Sequence, residues 1–249
     1  MLTAPLLVVN QMSDESAARV DSRAYLQARA AQLKTPNAST NQLLERFLFD
    51  RLPSVAQKLM EECGGGDRPL LFFNEHYVVK PPETAVEFRW HRDDDEQLGM
   101  CVHRAEIAPY VSAWCALDDV TPANGPLRFM PLDDHDDAGE FEVRATPPLV
   151  LSAGDAVLFL SNVWHASSAN TSSAERRAFY AQYSTEAITA GPRDKLPLSF
   201  AIPCRGFDVE PGRTTTHSSE PCPTKRAKTT RGGGDSVLDP HSEQEKDDI

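Results

Sequence analysis

No run in the 249-residue chain approaches the ~18 consecutive apolar residues of a membrane-spanning helix. The apolar opening MLTAPLLVV has no basic stretch ahead of it and runs straight into NQMSDES, so a secretory leader is not expected either. Cysteine is scarce. The five present (Cys63, Cys101, Cys115, Cys204, Cys222) are odd in number, widely spaced and form no C-x-x-C pair. That pattern argues against a disulfide framework and for reduced, structural thiols in an intracellular, most simply cytoplasmic, protein. An excess of positive charge is missing too: 25 Lys and Arg stand against 37 Asp and Glu, a formal net charge of −12. A nucleic-acid binder working through a broad basic face is therefore excluded, and a small-molecule partner is favoured. The chain shows no internal repeat, and it ends in DDI rather than a peroxisomal tripeptide of the SKL type.

What is present changes in texture along the chain. Residues 16–34 are rich in Ala, Arg, Gln and Leu and predict a helix that stops at Pro36-Asn37. Ser39-x-x-Gln42 reads as a capping box, followed by Leu43, Leu44, Phe47, Leu48 and Leu52 at helical spacing. Pro53 is expected to kink or divide this second helix, and Gly64-Gly65-Gly66 to end it. Beyond the glycines come short strand-like runs: 70–80, 84–91, 107–117, 127–130, 148–151, 156–160 and 177–184. Turn signals at Pro81-Pro82, 121–126 and 152–155 separate them. Seven or so such strands predict a sandwich, barrel or jelly roll.

From residue 205 the apolar periodicity is lost, and the expected organisation is an N-terminal helical segment (1–66), a β core (67–204) and a disordered tail (205–249). The tail holds 7 Lys/Arg and 9 Asp/Glu, so nearly all of the negative charge belongs to the folded part. Lys225-Arg226-Ala227-Lys228 has the form of a short nuclear-import cluster, which opens nuclear entry as an alternative to the cytoplasm. The oligomeric state is not readable.

The chemistry concentrates at Val86–Gly99, VEFRWHRDDDEQLG, where a strand-like run meets a histidine and three aspartates. His91-x-Asp93 puts an imidazole and a carboxylate on one side of an extended chain, where two ligands can share one metal ion. Of the other histidines, His165 is the best third ligand, because it follows a turn and a buried-looking strand in GDAVLFLSNVWH. His217 and His241 lie in the tail; His76, His103 and His135 sit in surroundings that need no metal. The Asp133–Asp137 cluster lacks the D-x-D-x-D-G spacing of a calcium loop and reads as solvated. Arg176 and Arg177 open the last strand, and residues alternate faces there, so only one can enter the cavity and pair with a carboxylate. Two imidazoles and a carboxylate on one face of an octahedral Fe(II) leave three positions open, enough for a chelating 2-oxo acid and O2.

Several stretches together resemble the phytanoyl-CoA dioxygenase family: VVKPP at 78–82, HRD at 91–93, VSAWCALDDVTPANGPLRFMP at 111–131, AGDAVLFLSNVWH at 153–165 and HASSANTSSAER at 165–176. The resemblance covers about residues 70–185. It implies a mainly β protein, a double-stranded β-helix (jelly roll, cupin-like) with the N-terminal helices packed against it. It also implies an Fe(II)- and 2-oxoglutarate-dependent oxygenase that hydroxylates a C–H bond and releases succinate and CO2. Carried over by position, His91, Asp93 and His165 become the iron ligands and Arg176 the salt-bridge partner of 2-oxoglutarate. Ser167 becomes a hydrogen-bonding helper and Trp114 a wall of the co-substrate pocket, with Lys80 and His76 near it. The Asp93 carboxylate favours hydroxylation, because related halogenases lack it. Two departures stand out. Pro131-Leu132-Asp133-Asp134-His135 replaces the Pro-Gly-Ser-His usual after the NGPL turn, and the stretch from there to Gly154 is short, so substrate identity does not carry over. Two other readings fit the residues: a β-helix binding or regulatory protein without turnover, and a Zn(II) hydrolase, which leaves Arg176 without a role.

Overall fold

Asp21 opens the first helix, α1 (Ser22–Leu33), by accepting the amide of Ala24 on its side chain at 2.8 Å. The computed structural model describes residues 21–33, 38–64, 68–98, 101, 104–131, 141–194 and 197–205. The helical run is divided next to Pro53, as expected: helix α2 (Ala38–Arg46) widens into a single π-helical turn, Phe47–Arg51, and resumes as α3 (Leu52–Glu62). The reason lies in the backbone donors. Leu52 reaches five residues back to the Phe47 carbonyl, and Pro53 has no N–H, so the Leu48 and Phe49 carbonyls lose their helical partners. Tyr183 Oη donates to the first at 2.8 Å and the amide of Arg205 to the second at 2.8 Å. Gly64, at φ 76°, ends α3 in the left-handed region where glycine carries no penalty.

Among the described residues the β part forms two antiparallel sheets. The larger has the order β5-β3-β7-β1-β8 and the smaller β2-β6-β4. Their strands are β1 (Leu71–Lys80), β2 (Phe88–His91), β3 (Val111–Ala116), β4 (Leu127–Phe129), β5 (Ala156–Leu160), β6 (His165–Ser167), β7 (Arg176–Ser184) and β8 (Ile202–Pro203). Two short helices lie between strands, α4 (Asp93–Gln97) and α5 (Phe141–Arg144). The sheets face each other as a double-stranded β-helix, and α1–α3 cover the outer face of the large sheet. Tyr25, Phe49 and Phe72 meet edge to face there at 5.3–5.9 Å. Phe49, Phe72 and Tyr183 are fully buried in that layer, each contributing about 1.5–3 kcal/mol of burial. Arg29 of α1 pins the helix through Glu75 (2.5 Å) and Tyr77 Oη (2.8 Å) on β1.

Several expectations need correction. The run 84–91 is a strand only over Phe88–His91, with a single isolated bridge from Thr84 to Asn170, and its apolar members Val86 and Phe88 are exposed. The run 148–151 is no strand but one isolated bridge, Val120 to Leu151. Strands β6 and β8 and helices α4 and α5 have no counterpart in the sequence reading, because elements of two to five residues are held by their partners rather than by their own pattern. Four cysteines are described and none is in a disulfide; burial pushes the Cys115 and Cys204 thiols up to about 12, as inert structural groups. Residues 206–249, including the basic cluster at 225–228, lie outside the described residues, as do Asp133–Asp137, His103 and His135.

Candidate metal centre

His91 at the end of β2 and His165 at the start of β6 are register partners, with ring centroids 4.2 Å apart. Each ring turns Nδ1 to a carbonyl two residues back: His91 to Arg89 at 2.6 Å, His165 to Val163 at 3.1 Å. A proton held on Nδ1 leaves Nε2 as the basic nitrogen of both rings. The third residue arrives differently from the sequence expectation. The strand stops at His91, Arg92 remains extended (φ −118°, ψ 139°), and Asp93 is the first residue of α4. One extended residue between them is enough to bring His91 and Asp93 to the same side.

Asp93 Oδ1 lies 3.6 Å from His165 Nε2, and the ligand atoms of His91, Asp93 and His165 are all within 4.8 Å of one another. Ligand atoms that share one face of an ion at about 2.1 Å lie ~3 Å apart, so side-chain adjustments of about 1–2 Å would close all three on one ion. Asp93 and His165 are buried and His91 half-buried. Burial pushes the His165 pKa down, helped by His91 and opposed by Asp93, which keeps the ring in its neutral, ligating form. The other oxygen of Asp93, Oδ2, is turned to the large sheet, where it accepts from Tyr180 Oη, Ser112 Oγ and Gln182 Nε2.

The opposite end of the cavity holds two buried cations. Lys80 and Arg176 are direct cross-strand partners at the end of β1 and the start of β7, and both point inward. Lys80 Nζ donates to the carbonyls of Ser167 (3.0 Å) and Ser168. Arg176 donates from Nη2 to the Gly125 carbonyl at 2.8 Å and lies 5.1 Å over the Trp114 ring, while its Nη1 is buried without a hydrogen-bond partner. Gly125 makes room for Lys80. At φ 84° it sits where an added Cβ would lie 2.7 Å from the Ser168 carbonyl and 2.8 Å from Lys80 Cδ. Burial, with the Arg176 charge adding to it and Glu87 opposing, pushes Lys80 down to about 7; burial also brings Arg176 to about 10. Arg177 points the other way, half-exposed and paired with Asp118 at 2.7 Å.

Of the remaining sequence candidates, Trp114 lies on the inner face beside Tyr180 and against Arg176. Ser167 meets Lys80 through its carbonyl rather than its hydroxyl. His76 stacks on Tyr180 at 4.7 Å, nearer the Asp93 end than the two cations. On β1 the inward residues Asn74, His76 and Val78 are half-buried, whereas those of β3 and β7 are buried. Ser112, Tyr180, Gln182 and Gly125 were not singled out in the sequence as site residues. Tyr180 and Gln182 carried a signal, through their alternation with Arg176.

Among proteins of known sequence, the chain is 38% identical over 146 residues to the uncharacterized Saccharomyces cerevisiae protein YJR154W, a match covering 55% of this chain. The chain spans about 40% of the length of that relative. Among solved structures it is similar to EctD from S. alaskensis, determined with 2-oxoglutarate and 5-hydroxyectoine (22% identity, TM-score 0.46, 61% of this chain and 56% of that one). It is likewise similar to EvdO2 from Micromonospora carbonacea var. aurantiaca, complexed with 2-oxoglutarate (22% identity, TM-score 0.43, 59% of this chain and 63% of that one). The family model for phytanoyl-CoA dioxygenase matches residues 10–178, a span that enters β7 and takes in His91, Asp93, His165, Lys80 and Arg176. With more than half of its length matched, the chain belongs to the phytanoyl-CoA dioxygenase family.

Proposed function

We propose that this chain is an Fe(II)- and 2-oxoglutarate-dependent dioxygenase that hydroxylates a C–H bond of a small-molecule or lipid-like substrate. The observation that carries the reading is the pair Lys80 and Arg176: two buried cations side by side, with the Arg176 Nη1 left without a partner. A buried guanidinium with a free N–H is costly unless a carboxylate or comparable anion completes it. The donor set at the other end suits a divalent iron: two imidazoles through Nε2 and one carboxylate oxygen, with open positions remaining. His91, Asp93 and His165 would hold the metal. Arg176, with Lys80 beside it and Trp114 as a wall, would hold the far carboxylate of the co-substrate. When bound, iron with 2-oxoglutarate supplies the O2-dependent oxidation of a C–H bond, with release of succinate and CO2. The chain's own part is to fix the two anionic ends of one small molecule and to keep the inner faces of β3 and β7 dry. The presence of Asp93 supports hydroxylation over halogenation.

The test is titration of 2-oxoglutarate into the anaerobic Fe(II) protein, followed by the metal-to-ligand charge-transfer absorption. Losing a buried two-pronged charge pair costs about 2–5 kcal/mol, so Arg176→Ala is expected to weaken 2-oxoglutarate by two orders of magnitude or more while iron still binds. Arg177→Ala should change the affinity less than threefold. A wild-type protein that binds Zn(II) but develops no such absorption with Fe(II) and 2-oxoglutarate would rule this function out.

A further inference from the structure

The side of Asp93 that faces away from the histidines is enclosed by the large sheet. Its Oδ2 accepts from Tyr180 Oη and Gln182 Nε2 of β7 and from Ser112 Oγ of β3. All three donors are buried, as is Asp93. Each is itself held. The amide of Gln182 also donates to Ser112 Oγ at 3.1 Å and accepts from Asn74 Nδ2 at 2.8 Å, which sets which end of the amide faces the carboxylate. The Tyr180 ring is stacked on His76 and meets the edge of Phe159. A carboxylate oxygen has two lone pairs, and three donors saturate it. Oδ1, turned toward His165 Nε2, takes no part in this cage.

We infer that Ser112, Tyr180 and Gln182 are positioning residues that hold Asp93 as a one-oxygen ligand, so that the metal keeps three open positions rather than two. This rests on the metal-centre reading proposed above. With the carboxylate free to rotate, Oδ2 could swing onto the metal beside Oδ1, and a two-oxygen co-substrate would then fill the last vacancies and leave none for O2. The cage prevents this at the level of hydrogen bonds, without touching the metal.

Co(II) is the probe, because its d–d absorption reports coordination number and it binds the same donor types. The full chain is titrated with Co(II), alone and with 2-oxoglutarate, as wild type, Tyr180→Phe, Ser112→Ala and the His165→Ala control. Outer-shell partners typically govern metal affinity by 10–100-fold, so Tyr180→Phe should weaken Co(II) by about tenfold or more and Ser112→Ala by a smaller factor. Both should shift the d–d bands toward a higher coordination number, a change that simple loosening of the fold would not give. Ser112→Ala removes a single oxygen and serves if Tyr180→Phe does not fold. Wild-type binding that is lost in His165→Ala, together with unchanged affinity and spectrum in both cage variants, would overturn the inference and leave the metal centre standing. Failure of the wild type to bind Co(II) would overturn both.

Discussion

Lys80 is the residue whose environment makes the sharpest solution prediction. Its ordinary value is 10.5, and burial beside Arg176 lowers it to about 7 in the folded chain. Between about pH 7 and 10.5 the unfolded chain therefore binds more protons than the folded one, so stability contributed at this site rises with pH across that window and is lowest below pH 7. Lys80→Met should remove this rise, as read by the pH dependence of thermal melting. A carboxylate seated against Arg176 and Lys80 favours the charged ammonium, so 2-oxoglutarate binding above pH 7 takes up a proton. Its affinity should then fall by up to about tenfold per pH unit from pH 7.5 to 9. Calorimetry in buffers of different ionisation enthalpy measures the uptake; a pH-independent affinity in the wild type would place Lys80 away from the carboxylate.

At the scale of elements, the ends of β1 and β7 are held in place by the connection between β6 and β7. Asn170, fully buried in that connection, donates from Nδ2 to the carbonyls of Lys80 (3.0 Å), Pro81 (3.0 Å) and Ala174 (2.8 Å). Its Oδ1 accepts the amide and hydroxyl of Ser172, and its own carbonyl accepts the amide of Thr84 at 2.9 Å. One side chain thus ties the strand carrying Lys80 to the loop that leads into Arg176. Asn170→Ala strands buried carbonyls and should cost about 2–4 kcal/mol, a drop in Tm of roughly 5–15 °C. On the surviving folded protein, Co(II) affinity should stay within about twofold while 2-oxoglutarate weakens by tenfold or more. Equal losses for metal and co-substrate would show general loosening instead.

At the scale of the molecule, the helices and the sheet share one core, and the seam between them is fastened where the helical ladder is defective. The carbonyls freed by the π turn and by Pro53 are taken by β7 and by Arg205, whose side chain also reaches Glu45 at 2.8 Å and Asp50 at 3.2 Å. Arg205 therefore belongs to the packed body, although the sequence reading put it in the tail. Deleting 205–249 should lower Tm by about 2–4 °C more than deleting 206–249, the worth of roughly one hydrogen bond. Identical melting of the two truncations would remove Arg205 from the seam. No helix among the described residues is long and apolar enough to cross a membrane.

By itself the sequence determined what local pattern can specify. Apolar runs bounded by turns mark β1 and β5 to within a residue, helical spacing marks α2 and α3, and His91-x-Asp93 with His165 marks the centre. Alternation along β7 required one of Arg176 and Arg177 to face inward without choosing between them by itself; the register that sets Arg176 opposite Lys80 made the choice. The cage around Asp93 was hidden for the same reason, since its donors lie 19, 87 and 89 residues away along the chain. Strand β6 has only three residues and exists because β2 and β4 flank it. Periodicity reports which face of an element is apolar, because that is a property of neighbours in the chain. Which polar groups meet inside the barrel is decided by strand pairing between distant segments, and only the folded chain brings those segments together.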